Sequence, residues 1–245
     1  MGRLGTLRKS QIWRKGEFDW VTDADRSAER VILRTIRSAY PDHSIQAEES
    51  APIGKGTGWR WLVDPLDGTV NYMHSFPIFS VSIALARDGI LEAGVVYDPT
   101  RDELFTARKG RGARLNGRRI RVSPNNGLDC ALLSTGFPFR AKEHTGVYLK
   151  SFRRIFVETG SIRRAGSAAL DLAYIACGRM DGFWEMALAP WDVGAGALLI
   201  REAGGVVTDF FGRDRFLDRG HILAGTPGVH RQLLCLLSPI FRGRI

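Results

Sequence analysis

The chain has 245 residues, 44% hydrophobic and 25% charged, enough for one sizeable core. No apolar run reaches the roughly 18 residues of a membrane span, and no apolar h-region follows the basic start, which argues against a secretory leader. The net charge of +9 suits an anionic partner and, more plainly, a solvated arginine-rich surface.

Residues 1–16 are basic and weakly periodic, either a short helix or a loose arm. Thr22 or Asp23 is placed to cap a helix with acids in its first turn. Ala28, Val31, Ile32, Thr35, Ile36 and Ala39 continue that helix over 27–39, and Pro41 stops it. A short strand over 45–50 runs into Glu48-Glu49, and 51–58 is a loop. Trp59-Arg60-Trp61-Leu62-Val63 reads as a buried strand broken at Asp64-Pro65 and followed by Asp67, Gly68 and Thr69. Strands over 79–86, 90–97 and 103–107, then a hairpin around Leu115-Asn116-Gly117, form an antiparallel meander. The second half alternates: strand 131–134, helix 148–157, helix 166–177 opened by Ser167 and ended by Gly178, strand 181–186, helix 192–203 ended by Gly204-Gly205, strands 206–208 and 221–225, helix 228–237. This order predicts a layered α/β or α+β protein. Residues 1–245 are expected to form one domain, with a soft division into 1–130 and 131–245.

Carboxylates at element ends carry the chemistry. Glu48 and Glu49, Asp64 and Asp67, and Asp192 stand at three separate strand or helix junctions. Convergence on one site would need cations to offset their repulsion, and hard divalent ions such as Mg²⁺ take oxygen ligands. Each acid also has a plainer explanation: Asp67-Gly68 as a turn, Asp192 as a helix cap, Glu48-Glu49 as surface acids. Cys130, Cys177 and Cys235 fit no CxxC or zinc spacing, which predicts unpaired thiols, most of them in the core, of a cytoplasmic protein. The five histidines show no ligand spacing and read as surface or core residues.

Asp64-Pro65-Leu66-Asp67-Gly68-Thr69-Val70-Asn71-Tyr72 resembles the DPxDGTxNF signature of the inositol monophosphatase family. Trp191-Asp192-Val193-Gly194-Ala195-Gly196 through Glu202-Ala203-Gly204-Gly205 resembles its WDxxAGxxxxxEAGG signature. Ala47-Glu48-Glu49-Ser50 and Val21-Thr22-Asp23-Ala24-Asp25 are similar to its GEES and VTxxD elements. The stretches Gly136–Arg140 and Arg163–Ala173 are most like the bacterial inositol-1-phosphatase branch. Ala47 stands for the usual Gly and Val70 for the usual Thr, neither a ligand. The family pattern also has about one more helix before VTxxD.

The resemblance implies an α-β-α-β-α sandwich of the sugar-phosphatase type. It implies Mg²⁺ held first by Glu48, Asp64 and the Leu66 carbonyl, then by Asp64, Asp67 and Asp192, with Glu49 supporting a weaker ion or its waters. Thr69, helped by Asp25, would orient the attacking water, without a covalent phosphoenzyme. Amides near Gly68 and Thr69 would cradle phosphate. Gly166, Ser167, Ala168 and Glu185 would line the polyol side, with Asp67 and Asp192 also facing substrate. A small phosphorylated polyol or sugar is the implied substrate, with inositol-1-phosphate foremost and fructose-1,6-bisphosphate, histidinol phosphate, 3′-phosphoadenosine phosphates and NADP as alternatives. Li⁺ inhibition and a homodimer are implied too. A different class remains open: an RNA- or transcription-associated factor using basic runs at Arg111, Arg114, Arg118, Arg119 and Arg121, or at Arg153-Arg154 and Arg163-Arg164. The dense run over 111–121 lacks interleaved aromatics.

Overall fold

The computed structural model describes residues 4–54 and 58–245; part of the expected 51–58 loop and the first three residues of the basic arm lie outside them. The rest of the arm is neither helix nor loose. A 3₁₀ turn at Lys9–Gln11 leads into β1 (Ile12–Gly16), which pairs antiparallel with β2 (Asp19–Thr22). Phe18, at φ 65°, makes the turn, and Arg26 lies over the Trp13 ring at 4.4 Å. Most of β1 faces solvent, so no alternation marks it in the sequence.

Thr22 Oγ1 accepts from Ala24 N at 3.1 Å and opens α1 (Asp23–Ala39). β3 (Ser44–Ala47) runs parallel to β4 (Trp59–Asp67). β4 does not end at Asp64-Pro65 as expected. Its pairing shifts register there, Asp64 opposite Ser82 and Asp67 opposite Ser80, so Pro65-Leu66 form a bulge that spares proline a ladder bond. A short α2 (Thr69–Met73), not expected, follows.

The meander is β5 (Ser80–Arg87), β6 (Ile90–Asp98), β7 (Glu103–Arg108), β8 (Gly112–Leu115) and β9 (Arg118–Arg119). Then come β10 (Leu132–Thr135), α3 (Thr145–Phe156), β11 (Ser161–Arg163), α4 (Ala168–Ala176), β12 (Gly182–Glu185), α5 (Pro190–Glu202), β13 (Val206–Thr208), α6 (Phe216–Arg219), β14 (Ile222–Gly225) and α7 (Pro227–Phe241). Among the described residues, β3 to β9 form one sheet in sequence order, and a second has the order β11-β10-β12-β14-β13.

The layers follow from burial. α1 sets Ile32, Leu33 and Ile36 against Ile45 and Val63 on the outer face of the first sheet. Leu62, one residue earlier on β4, points the other way, toward α4 and α5 between the sheets. α3 and α7 cover the far face of the second sheet through Tyr148, Ile155, Leu233 and Leu237. The result is an α-β-α-β-α stack. The central helices pack tightly: a Cβ at Gly94 would lie 3.0 Å from Ala195 Cα. Cysteines depart from expectation. Cys130, in a turn, and Cys235, on the solvent side of α7, are exposed, and Cys177 is half-buried. Among the described residues no helix is long and apolar enough to cross a membrane.

Candidate active site

The parallel pairing of β3 and β4 sets their C-terminal ends side by side, and the N-terminus of α5 packs beside them. Glu48, Asp64, Asp67 and Asp192 therefore line one cavity of about 260 Å³. The β4 bulge turns Asp64 back on its own backbone: Leu66 N donates to Asp64 Oδ1 at 2.9 Å. Asp67 Oδ2 accepts from Ser167 Oγ at 2.6 Å and Ala169 N at 2.8 Å, at the positive end of α4. Asp192 Oδ2 accepts from Ala189 N at 2.8 Å and Arg140 Nη1 at 2.7 Å.

Burial and mutual repulsion dominate the electrostatics. Burial, then Glu48 and Asp67, pushes Asp64 well above the usual carboxylate range. Burial pushes Asp67 up to about 7, against the Ser167 hydrogen bond. Asp192 is raised by burial, which Arg140 opposes. Two cations from outside the predicted set answer this charge. Lys15 Nζ lies 3.1 Å from Glu48 and 2.6 Å from Glu49, and Arg140 reaches Glu48 at 3.5 Å as well as Asp192. Burial works against both, but the neighbouring acids hold both above their ordinary values.

Asp25 and Glu49 do not line the cavity; each acts on it through a neighbour. Thr69 Oγ1 stands 2.9 Å from Asp25 Oδ1 and 3.1 Å from the Leu66 carbonyl, and its one proton serves one acceptor at a time. Asp25 Oδ2 is fixed by Thr22 N at 2.8 Å and Thr22 Oγ1 at 2.6 Å, and burial raises its carboxyl. Glu49 meets Lys15, and its backbone N–H donates to Glu29 at 2.9 Å. Burial outweighs the Lys15 contact and brings Glu49 to about 7.

Gly68 has φ +94°, and a Cβ there would sit 2.9 Å from the Ile78 carbonyl, so the turn requires glycine. Gly166, Ser167, Ala168 and Glu185 line the same cavity, and Gly136 leaves room that a Cβ would take from the Glu185 carboxyl. Asn71 Nδ2 ties the segment after β4 to the one before α4, donating to Ile78 O at 2.7 Å and Ala165 O at 2.9 Å.

Every predicted residue except Asp25 and Glu49 is thus on the cavity wall, Leu66 included. Sequence reasoning missed Lys15, Arg140, Arg164 and Asp171. Arg140, Arg164 and Asp171 lie in stretches that resemble the bacterial branch, the one signal that pointed near them; Lys15 had none. Among the described residues no three Asp, Glu, His or Cys side chains close into a finished metal cage. Glu48 and Asp192 are instead drawn to Lys15 and Arg140. The donors are nonetheless all oxygen, four carboxylates and the Leu66 carbonyl, which fits a hard divalent ion and not zinc.

A model of the inositol monophosphatase family matches residues 3–240. The Nus factor SuhB of Pseudomonas aeruginosa is 52% identical over 92% of this chain and 85% of its own length. An inositol-1-monophosphatase of Mesorhizobium japonicum is 46% identical over 94% of this chain and 87% of its own. The crystal structure of extragenic suppressor protein suhB from Bartonella henselae superposes with a TM-score of 0.90 at 44% identity, covering 96% of this chain and 90% of that one. With this fold and this acidic cavity, the chain belongs to the inositol monophosphatase family.

Proposed function

We propose that the protein is a Mg²⁺-dependent phosphomonoesterase acting on a small phosphorylated polyol, foremost inositol-1-phosphate. One observation carries the reading: the Asp25–Thr69 hydrogen bond stands at the edge of a cavity walled by Glu48, Asp64, Asp67 and Asp192. The acids supply the ligands: Glu48, Asp64 and the Leu66 carbonyl for one ion, Asp64, Asp67 and Asp192 for a second. Bound Mg²⁺ would supply positive charge against the phosphoryl oxygens and acidify a water. Thr69 gives its proton to Asp25, which leaves its oxygen free to accept from the attacking water. Asp25, raised by burial, is suited to receive the proton released. In-line attack forms the new P–O bond as the ester P–O bond breaks, the departing alkoxide takes a proton from solvent water to leave as the alcohol, and Glu185 receives hydroxyls of that alcohol. Lys15 and Arg140 balance the acids until cations do.

The reading takes residues 1–245 as one catalytic unit working as a homodimer. The exposed thiols of Cys130 and Cys235 support a reducing, cytoplasmic setting. Phosphate release from inositol-1-phosphate, fructose-1,6-bisphosphate, histidinol phosphate, a 3′-phosphoadenosine phosphate and NADP tests it. Turnover should require Mg²⁺, fall with Li⁺ and vanish in Asp67→Asn while circular dichroism is unchanged. Full turnover in Asp67→Asn or in EDTA would sink the assignment.

A second role is supported by the Nus factor name of the Pseudomonas relative and by the exposed arginines 111, 114, 118, 119 and 121. It adds an RNA- or transcription-associated function to catalysis, with steeply salt-dependent RNA binding as its signature.

A further inference from the structure

Asp171, in the first turn of α4, lines the cavity and is only 2% exposed. Its Oδ1 has no hydrogen-bond partner among the described residues. The helix has no need of that side chain. Ser167 Oγ caps α4, and the Asp171 amide already donates to Ser167 O at 3.0 Å. Its neighbours Leu170 and Leu172 are fully buried and apolar, so a residue there for packing alone would be apolar too. A buried carboxyl with an unpaired oxygen costs stability. It is explained by a ligand that supplies the missing partner.

Glu185, at the end of β12, is 6% exposed on the same wall. Arg164, ahead of α4, lines the cavity and stands over the Phe137 ring at 5.6 Å. Besides the four clustered acids, the cavity wall thus carries two further carboxyls and a guanidinium. Arg164 offsets part of the charge of the two carboxyls, which suits a neutral group rich in hydroxyls.

We propose that Asp171 is a specificity-determining residue that, with Glu185, hydrogen-bonds the hydroxyls of a polyol or sugar leaving group. The proposal rests on the phosphomonoesterase reading and adds to it a residue that reads the alcohol. A hydroxyl at the Asp171 carboxyl gives this buried group a partner, and an alcohol without hydroxyls does not.

The test compares the wild type with Asp171→Asn and Asp171→Ala on inositol-1-phosphate and 4-nitrophenyl phosphate, which lacks neighbouring hydroxyls. The expected result is a fall of about tenfold or more in the kcat/KM ratio of the polyol ester to the aryl ester. Thermal melting of Asp171→Asn should be no lower than wild type, since no internal contact of that oxygen is lost. Equal losses on both esters, a clearly lowered Tm, or a wild-type preference for an amine-bearing ester such as histidinol phosphate overturns the proposal. If the wild type hydrolyses neither ester, the phosphatase reading fails, and calorimetric titration with free myo-inositol decides the subsite by itself. Binding in wild type that is lost in Asp171→Asn supports it; binding equal in both, or absent from wild type, overturns it.

Discussion

At Thr69 the proposed catalysis rests on one hydroxyl. Its proton has an acceptor at 2.9 Å in Asp25, and Asp25 is held from behind by Thr22. Thr69→Ala removes the group that orients water and leaves the acidic ligands in place. Its kcat should fall about 10²- to 10⁴-fold with little change in KM, measured as phosphate release. A wild-type kcat in that variant would take Thr69 out of the reaction. Residues differ in how far the sequence announced them. Asp67 and Asp192 were legible because each sits near the end of an element, and Asp64 because of the Asp-Pro break, which proves to be a bulge within β4. The Asp25–Thr69 pairing spans 44 positions and came through family resemblance alone. Lys15 and Arg140 were not legible as site residues. Lys15 lies in a basic, weakly periodic stretch, and what it touches depends on how the β1–β2 hairpin lies against β3. Arg140 depends in the same way on where its loop meets α5.

Elements were most legible where one face is wet. α1 and the strands of the meander show period and alternation because one face of each is less buried than the other. α4 and α5 lie between two sheets and are apolar nearly all round, so they were located by their ends: Ser167, and Gly204-Gly205. Their close packing rests on small residues. A Cβ at Gly196 would lie 2.5 Å from the Leu172 Cβ. Gly196→Val should therefore force α4 and α5 apart and destabilise the fold by about 1–3 kcal/mol, read from the urea midpoint. Because α4 carries Ser167 and α5 carries Asp192, the same change should weaken Mg²⁺ binding. An unchanged midpoint would show that the helices can slide without cost. The hairpin of β1 and β2 escaped sequence reasoning because both strands are short and β1 is mostly solvated.

For the molecule as a whole, the acidic cavity links stability to pH. Glu49 and Asp67 move from ordinary values of 4.5 and 3.8 to about 7 on folding. A raised carboxyl favours the folded state below its unfolded pKa and loses that contribution as pH rises through its folded value. Without divalent ions, Tm should thus fall between pH 4.5 and pH 8. Asp98 runs oppositely. Burial would raise it, but hydrogen bonds from Thr100 and Arg101 lower it, so its contribution is present above the usual aspartate pKa and is lost as pH falls through its lowered value. Mg²⁺ favours the ionised acids, so its gain in Tm should be larger at pH 8 than at pH 5. Paired melts in EDTA and in Mg²⁺ check this, and an equal gain at both pH values would contradict it. The layered architecture was legible from the order of strands and helices, but its α-β-α-β-α stacking came through the family resemblance alone, since it depends on which face of each sheet finds which helix. The spread of the acids along the chain has a kinetic consequence. Glu48 and Asp192 lie on opposite sides of a long excursion through the meander and the second sheet. Closing a loop of that length comes late in folding. If the cavity binds a cation as proposed, the complete pocket forms only with the fold, so the cation would do little to speed collapse and would act as a latch set after assembly, slowing the opening of the structure.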